Sequence, residues 1–167
     1  TLTQVKMSNL VNYMGENVFE NCNLLTDVIL SAKLKVIPSQ TFQGCSSLES
    51  IILPYQVETI GDDAFKNCTK LRKITIPKAT TSIADSAFSY PDKMTIYGVA
   101  GSYAEQYATE NEIAFVAQEI ATEEVTLTET ELTLGRNTEY QLTAGLNPMD
   151  STDEVTWSSS DENVAKV

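Results

Sequence analysis

The sequence predicts a solenoid of stacked short-strand units, closed by a helical cap and followed by part of an all-β sandwich. Three observations lead there. Phe19, Phe42, Phe65 and Phe88 stand 23 residues apart, each inside a similar stretch. Directly after the last of these stretches, Tyr103, Ala104, Tyr107 and Ala108 recur at helical spacing. From Val125 onward the period becomes two: Val125 with Leu127, Leu132 with Leu134, Tyr140 with Leu142 and Ala144, Val155 with Trp157.

The repeat holds several columns in register. Met14, Ile37, Ile60 and Ile83 lie five before each Phe, while Cys22, Cys45, Cys68 and then Pro91 lie three after. Leu25, Leu48, Leu71 and Met94 follow. Behind them, Val28, Ile51 and Ile74 precede Leu30, Leu53 and Ile76, an LxxIxI ending closed twice by proline. A period of this length belongs to leucine-rich repeats, whose units each supply one short strand and stack because none can bury its apolar face alone. The expectation for residues 1–116 is a leucine-rich repeat solenoid, with short parallel strands on its concave face and turns or short helices on its convex face. The pattern IxxxxFxxCxxLxxIxIP resembles the BspA-like, or treponemal-type, repeats of bacterial surface proteins, over roughly the first two thirds of the chain. That resemblance implies a cell-surface or secreted binding or adhesion module, not an enzyme.

Charge narrows the partners. Of the net −12, residues 1–116 carry 9 Lys/Arg against 12 Asp/Glu, and residues 117–167 carry 2 against 11. Phosphate backbones and anionic lipid are repelled by such a surface, so neither nucleic acid nor the membrane is an expected partner. No run is apolar enough to span a bilayer, and no leader-like segment opens the chain; any export signal has been removed or lies outside these residues. The three cysteines share one inward column, where a thiol behaves as a small hydrophobe. Neighbouring coils come close enough for a disulfide, but free thiols are favoured because proline replaces the fourth member and no pairing is fixed. With no CxxC and no His, a zinc site lacks ligands, and no cofactor is expected.

In chain order, Leu2, Val5 and Met7 already align with Leu25, Val28 and Leu30, so the chain is expected to begin inside the repeats, as a fragment or as a worn first unit. The segments GENVF, PSQTF, GDDAF and ADSAF suit tight turns with Phe as the core plug. Asp62 with Asp63 reads as a solvated turn rather than a metal or acid pair. After Phe88, six residues reach Met94 of MTIYG where nine separate Phe65 from Ile74, which suggests the loss of about one turn. Ser102 and Glu105 are spaced as a capping box for the helix, Asn111 can end it, and Ile113 to Val116 reads as a strand. GSYAEQYA also resembles the unit that closes BspA-like arrays.

Residues 117–124, acidic and without the period, read as a linker. Beyond it, LTLGRNTEYQLTAGLNP and VTWSSSDENVAKV closely resemble the first half of bacterial immunoglobulin-like domains of group 2. The expectation for 125–167 is a truncated sandwich in which Trp157, Leu134 and Leu142 lack a complete opposing layer. The family's usual role is that of a spacer holding a binding module away from the cell wall.

Enzyme chemistry has little to stand on. No His pairs with Ser or Cys, and no phosphate-cradling glycine motif occurs. Asn67, Cys68 and Thr69 form a formal glycosylation sequon that the repeat explains more simply, and the acids at Asp150, Asp153 and Glu154 read as a solvated loop rather than a calcium site. The function expected is recognition of a protein or glycan, including ligands of host origin; the alternatives are a structural spacer, or an accessory region of a larger carbohydrate-active enzyme. Oligomeric state is not written in the sequence.

Period-two alternation then places the candidate contact surface. If Val28 and Leu30 point inward, Asp27 and Ile29 face out, followed by Ser50 and Ile52, then Lys73 and Thr75, with Gln4 and Lys6 before them. Two large apolar residues, Ile29 and Ile52, are thereby set side by side at a wet surface and rimmed by polar groups.

Overall fold

The computed structural model describes residues 2–89, 93–119, 124–127, 143–147 and 153–158. The chain divides into two compact units, Thr1–Gln118 and Glu119–Val167.

The first unit is a parallel β-solenoid. On one side β1 (Gln4–Lys6) pairs with β2 (Asp27–Ile29), and β4 (Ser50–Ile52), β6 (Lys73–Thr75), β8 (Thr95–Gly98) and β9 (Ala114–Ala117) form a four-stranded ladder. On a second side the two-residue strands β3 (Val36–Ile37), β5 (Thr59–Ile60) and β7 (Ser82–Ile83) form another parallel sheet. Register follows the repeat: Gln4 opposes Asp27, and Ser50 opposes Lys73. Between β6 and β8 it shortens, with Lys73 opposite Thr95. The last unit has therefore lost one residue, not a turn. Met94 stays in the buried leucine column and Ile96, not Met94, is the counterpart of Ile74.

The third side carries the phenylalanines. Backbone bonds run from Phe19 N–H to Thr41 O (2.9 Å), Phe42 N–H to Ala64 O (2.8 Å) and Phe65 N–H to Ala87 O (2.8 Å). The four rings stack at centroid spacings of 5.3, 5.4 and 5.5 Å, and Tyr107 of the cap closes the column against Phe88 at 6.2 Å. What turns the chain around each ring is a pair of left-handed residues. Asn17, Gln40 and Asp63 lie two before the Phe with φ of 61°, 57° and 54°; Asn21, Gly44 and Asn67 lie two after with φ of 58°, 76° and 60°. Asn, Asp and Gly tolerate this region best, because short polar side chains bond locally and glycine has no Cβ. Asp63 is further held by Lys66 at 2.8 Å and Asp62 accepts from Ser86 Oγ at 3.0 Å, so both acids serve the turn.

The cysteine column is reduced. Cys45 Sγ donates to Phe19 O at 3.2 Å and Cys68 Sγ to Phe42 O at 3.1 Å. Burial pushes both thiols up from 9.0 to about 12, with the neighbouring cysteine adding to the effect. Cys22, at the outer end of the column, is only half-buried, which departs from the expectation of three enclosed thiols.

The cap is α1 (Tyr103–Glu110), which buries Ala104, Tyr107 and Ala108, followed by β9. The capping box is not formed as expected. Glu105 reaches back past Ser102 to accept the Gly101 N–H at 2.7 Å, and the buried Ser102 Oγ has no partner. Asn111 ends the helix, its Nδ2 donating to Tyr107 O at 2.9 Å.

In the second unit β10 (Glu124–Leu127) pairs antiparallel with β11 (Ala144–Asn147). Val155 and Trp157 are 39% and 43% exposed. Leu132, Leu134, Tyr140, Leu142 and Asp150 lie outside the described residues.

Candidate functional site

Alternation along the strands sorts the sheet side into two populations. Ile51 and Ile74 point into the core at 4% and 0% exposure, while Asp27, Ile29, Ser50, Ile52 and Lys73 lie on the open face. Thr75 is half-buried there, and its column continues through the half-buried Tyr97 to Val116. Ile29 is 57% and Ile52 72% exposed.

The ladder does not run unbroken beneath them. Arg72 N–H bonds Glu49 O (2.9 Å), Leu53 N–H bonds Thr75 O (3.0 Å) and Met7 N–H bonds Ile29 O (2.9 Å). The equivalent bonds across the β2–β4 junction, from Glu49 N–H to Thr26 O and from Leu30 N–H to Ile52 O, are not made, and the two strands belong to separate sheets. A groove of about 450 Å³ opens at this interruption, walled by both strands and by Ala32, Leu53 and Pro54. Of the six residues expected to form the surface, Asp27, Ile29, Ser50 and Ile52 line this one groove; Lys73 and Thr75 sit one strand further on.

Charges flank the groove on both sides, with the exposed Lys6 opposite Ile29 on β1 and Lys73 opposite Ser50 on β6. Asp27 accepts from Thr26 Oγ1 at 2.7 Å and Gln4 Nε2 at 3.3 Å, with no cation in ion-pair contact among the described residues. On the far side Lys73 is exposed and, among the described residues, has no carboxylate within ion-pair distance. Residues 64–84 contain five cations and no acid, and Arg72 of this stretch turns its guanidinium onto Thr69 O and Leu71 O at 3.1 and 3.0 Å. Among the described residues no cluster of three or more His, Cys, Asp or Glu could hold a metal ion.

A second apolar surface was not anticipated. Leu10 and Tyr13 are 82% and 79% exposed, and Tyr13 and Val36 line a separate groove of about 390 Å³. Pro38 is part of its lining. Gly61 N–H bonds Ile37 O at 2.8 Å and Ala84 N–H bonds Ile60 O at 2.9 Å, but the same position one coil earlier is Pro38, which has no N–H to give. The bond equivalent to Glu58 N–H to Lys35 O, from Lys35 N–H to Asn12 O, is not made either, and the sheet starts at β3. Proline at the ladder-donor position, one column after Ile37, was the part of this that the sequence showed.

A parallel solenoid with a 23-residue coil, stacked Phe turns and a helical cap defines a leucine-rich repeat protein whose open sheet face bears the candidate site. The chain belongs to the BspA type leucine rich repeat region family, whose profile matches in six copies over residues 1–95, and residues 121–167 match the bacterial Ig-like domain of group 2. Its fold is similar to a leucine rich cell surface protein from Faecalibacterium prausnitzii A2-165 (TM-score 0.59, 37% identity), covering 64% of this chain and 28% of that one. It is also similar to a leucine-rich repeat protein from Bacteroides ovatus ATCC 8483 (TM-score 0.54, 36% identity), covering 59% of this chain and 25% of that one. The chain thus spans little more than a quarter of the length of these relatives. Among curated proteins none matches. The pairing of leucine-rich repeats with an Ig-like domain fits a cell-surface protein-interaction module, and both domain types are typically non-catalytic.

Proposed function

We propose that this chain is a surface-displayed or secreted recognition module. It binds a protein partner on the sheet face through Ile29 and Ile52, with the solenoid (1–116) as the binding part, 117–124 as a linker and 125–167 as a spacer. The observation that carries this reading is the pair of isoleucines, 57% and 72% exposed, walling one groove and flanked by Asp27, Ser50 and Lys73. Clustered apolar side chains rimmed by polar groups mark contact sites more often than scattered ones do. Among the described residues no helix is long and apolar enough to cross a membrane. The test is capture from host-matrix and cell-wall extracts, comparing the whole chain with the Ile29→Ser, Ile52→Ser double variant at matched circular dichroism. Loss of the captured protein with the double variant is expected. Undiminished capture would move the contact to another surface.

A further inference from the structure

We infer that the occupant of the β2–β4 groove is an extended peptide segment of a protein partner. It carries an aliphatic side chain as anchor, an acidic residue toward Lys73 and a neutral or basic residue toward Asp27. This rests on the preceding reading and adds to it the chemistry of the ligand.

Three features converge. The groove floor is apolar, with Ile29 and Ile52 facing across it and Leu53 and Pro54 beside them, which suits a side-chain anchor better than the hydroxyl-covered surface of a sugar. The interrupted ladder leaves Leu30 N–H and Ile52 C=O without the bond that their counterparts make in the neighbouring coils. A peptide crossing this point can offer its own backbone C=O and N–H to these two groups. Charges flank the groove on both sides: Asp27 stands on β2 with the exposed Lys6 opposite Ile29 on β1, and Lys73 on β6 directly opposes Ser50 of the groove wall, about 4.8 Å away by strand spacing. A segment that crosses the strands over Asp27, Ser50 and Lys73 meets a carboxylate and then an ammonium, which favours an acidic residue at the Lys73 end.

The test uses a phage-displayed random 12-residue library selected on the whole chain, with Lys73→Glu and Ile29→Ser, Ile52→Ser variants beside it. The expected result is enrichment of sequences with an aliphatic residue followed or preceded at fixed spacing by Asp or Glu. Synthetic versions should bind Lys73→Glu about tenfold more weakly, the scale of one exposed attraction turned to repulsion, and weaken as salt is raised. Selection on Lys73→Glu should shift the acidic position to Lys or Arg. Peptides that lack an acidic position, or that bind Lys73→Glu undiminished, would overturn the inference while leaving the isoleucine reading in place. Peptides that bind the double isoleucine variant undiminished would overturn the earlier reading itself. Competition by polygalacturonate but by no peptide would overturn the inference in favour of an anionic polysaccharide.

Discussion

The Phe side and the sheet side of the solenoid are built from the same repeat, yet only one is continuous. Along the Phe side, rings stack at near-constant spacing through four coils and backbone bonds link every described coil to the next. Along the sheet side the ladder breaks between β2 and β4, and two isoleucines stand in water at the break. Coils tied firmly along one side can part along another without losing their stack. In a quasi-one-dimensional array, where each coil touches only its neighbours, this separates a stabilising edge from a surface free to vary.

The sharpest way to break the contrast is to remove a ring. Phe65 is 1% exposed and stacks on both Phe42 and Phe88, so Phe65→Ala should cost about 3–5 kcal/mol in equilibrium denaturation. A loss below about 1 kcal/mol, the range of ordinary surface changes, would show that the ring column is not what holds the coils together.

Gly44 tests the turn around the ring. Its φ is +76°, and an added Cβ would lie 2.5 Å from Asn21 Oδ1 and 3.3 Å from Asn21 Cα. Gly44→Ala should therefore cost about 1–3 kcal/mol, the range of a strained backbone. Gly15→Ala, where the nearest atom is 3.9 Å away, is the control and should cost far less.

The periodic part of this fold was legible because stacking demands the same residue type at every coil. Phe, Leu and Ile columns, the inward cysteines and the helix at Tyr103 all follow from burial that repeats. What resisted reading was whatever breaks the period. The left-handed turn residues vary among Asn, Gln, Asp and Gly, since that conformation is set by the backbone and only loosely by the side chain. The β2–β4 interruption involves backbone groups that every residue possesses, so no side chain announces it. At the cap, spacing placed Ser102 at the N-cap but neither bond of the expected box forms: Ser102 Oγ makes no cap bond and Glu105 accepts from Gly101 N–H, because reach and not sequence distance decides which N–H a flexible carboxylate meets. On the sheet face, alternation placed Asp27, Ile29, Ser50, Ile52 and Lys73 outward, and only three-dimensional pairing put four of the six expected residues on one groove.

The thiols sharpen the comparison by chemistry. Native protein treated with a thiol reagent should label Cys22 first, and Cys45 and Cys68 only on unfolding, with three thiols released without reductant. Because burial raises the folded pKa of Cys45 and Cys68 from 9.0 to about 12, the folded state holds these protons more tightly than the unfolded one. Their contribution is complete below pH 9.0 and declines as pH rises toward about 12. Denaturation midpoints should fall over that alkaline range, and more steeply than in a Cys45→Ala, Cys68→Ala variant. Equal slopes would mean that the thiols ionise as freely folded as unfolded.

The smallest stability effect is expected at the candidate site, and its neighbour supplies the measure. Ile51 and Ile52 are consecutive on β4, yet one is 4% exposed and the other 72%. Successive side chains of a strand point to opposite faces, so the same residue type is a core element at one position and a surface element at the next. Ile51→Ala removes buried methyls between coils and should cost about 2–5 kcal/mol. Ile52→Ser removes apolar surface already in water and should change stability by no more than about 0.5 kcal/mol. Since β-branched residues also favour strands, a slight loss on the second change would be propensity alone. A loss comparable to that of Ile51→Ala would mean that Ile52 is covered in the folded protein, and a covered isoleucine cannot serve as the contact proposed for it.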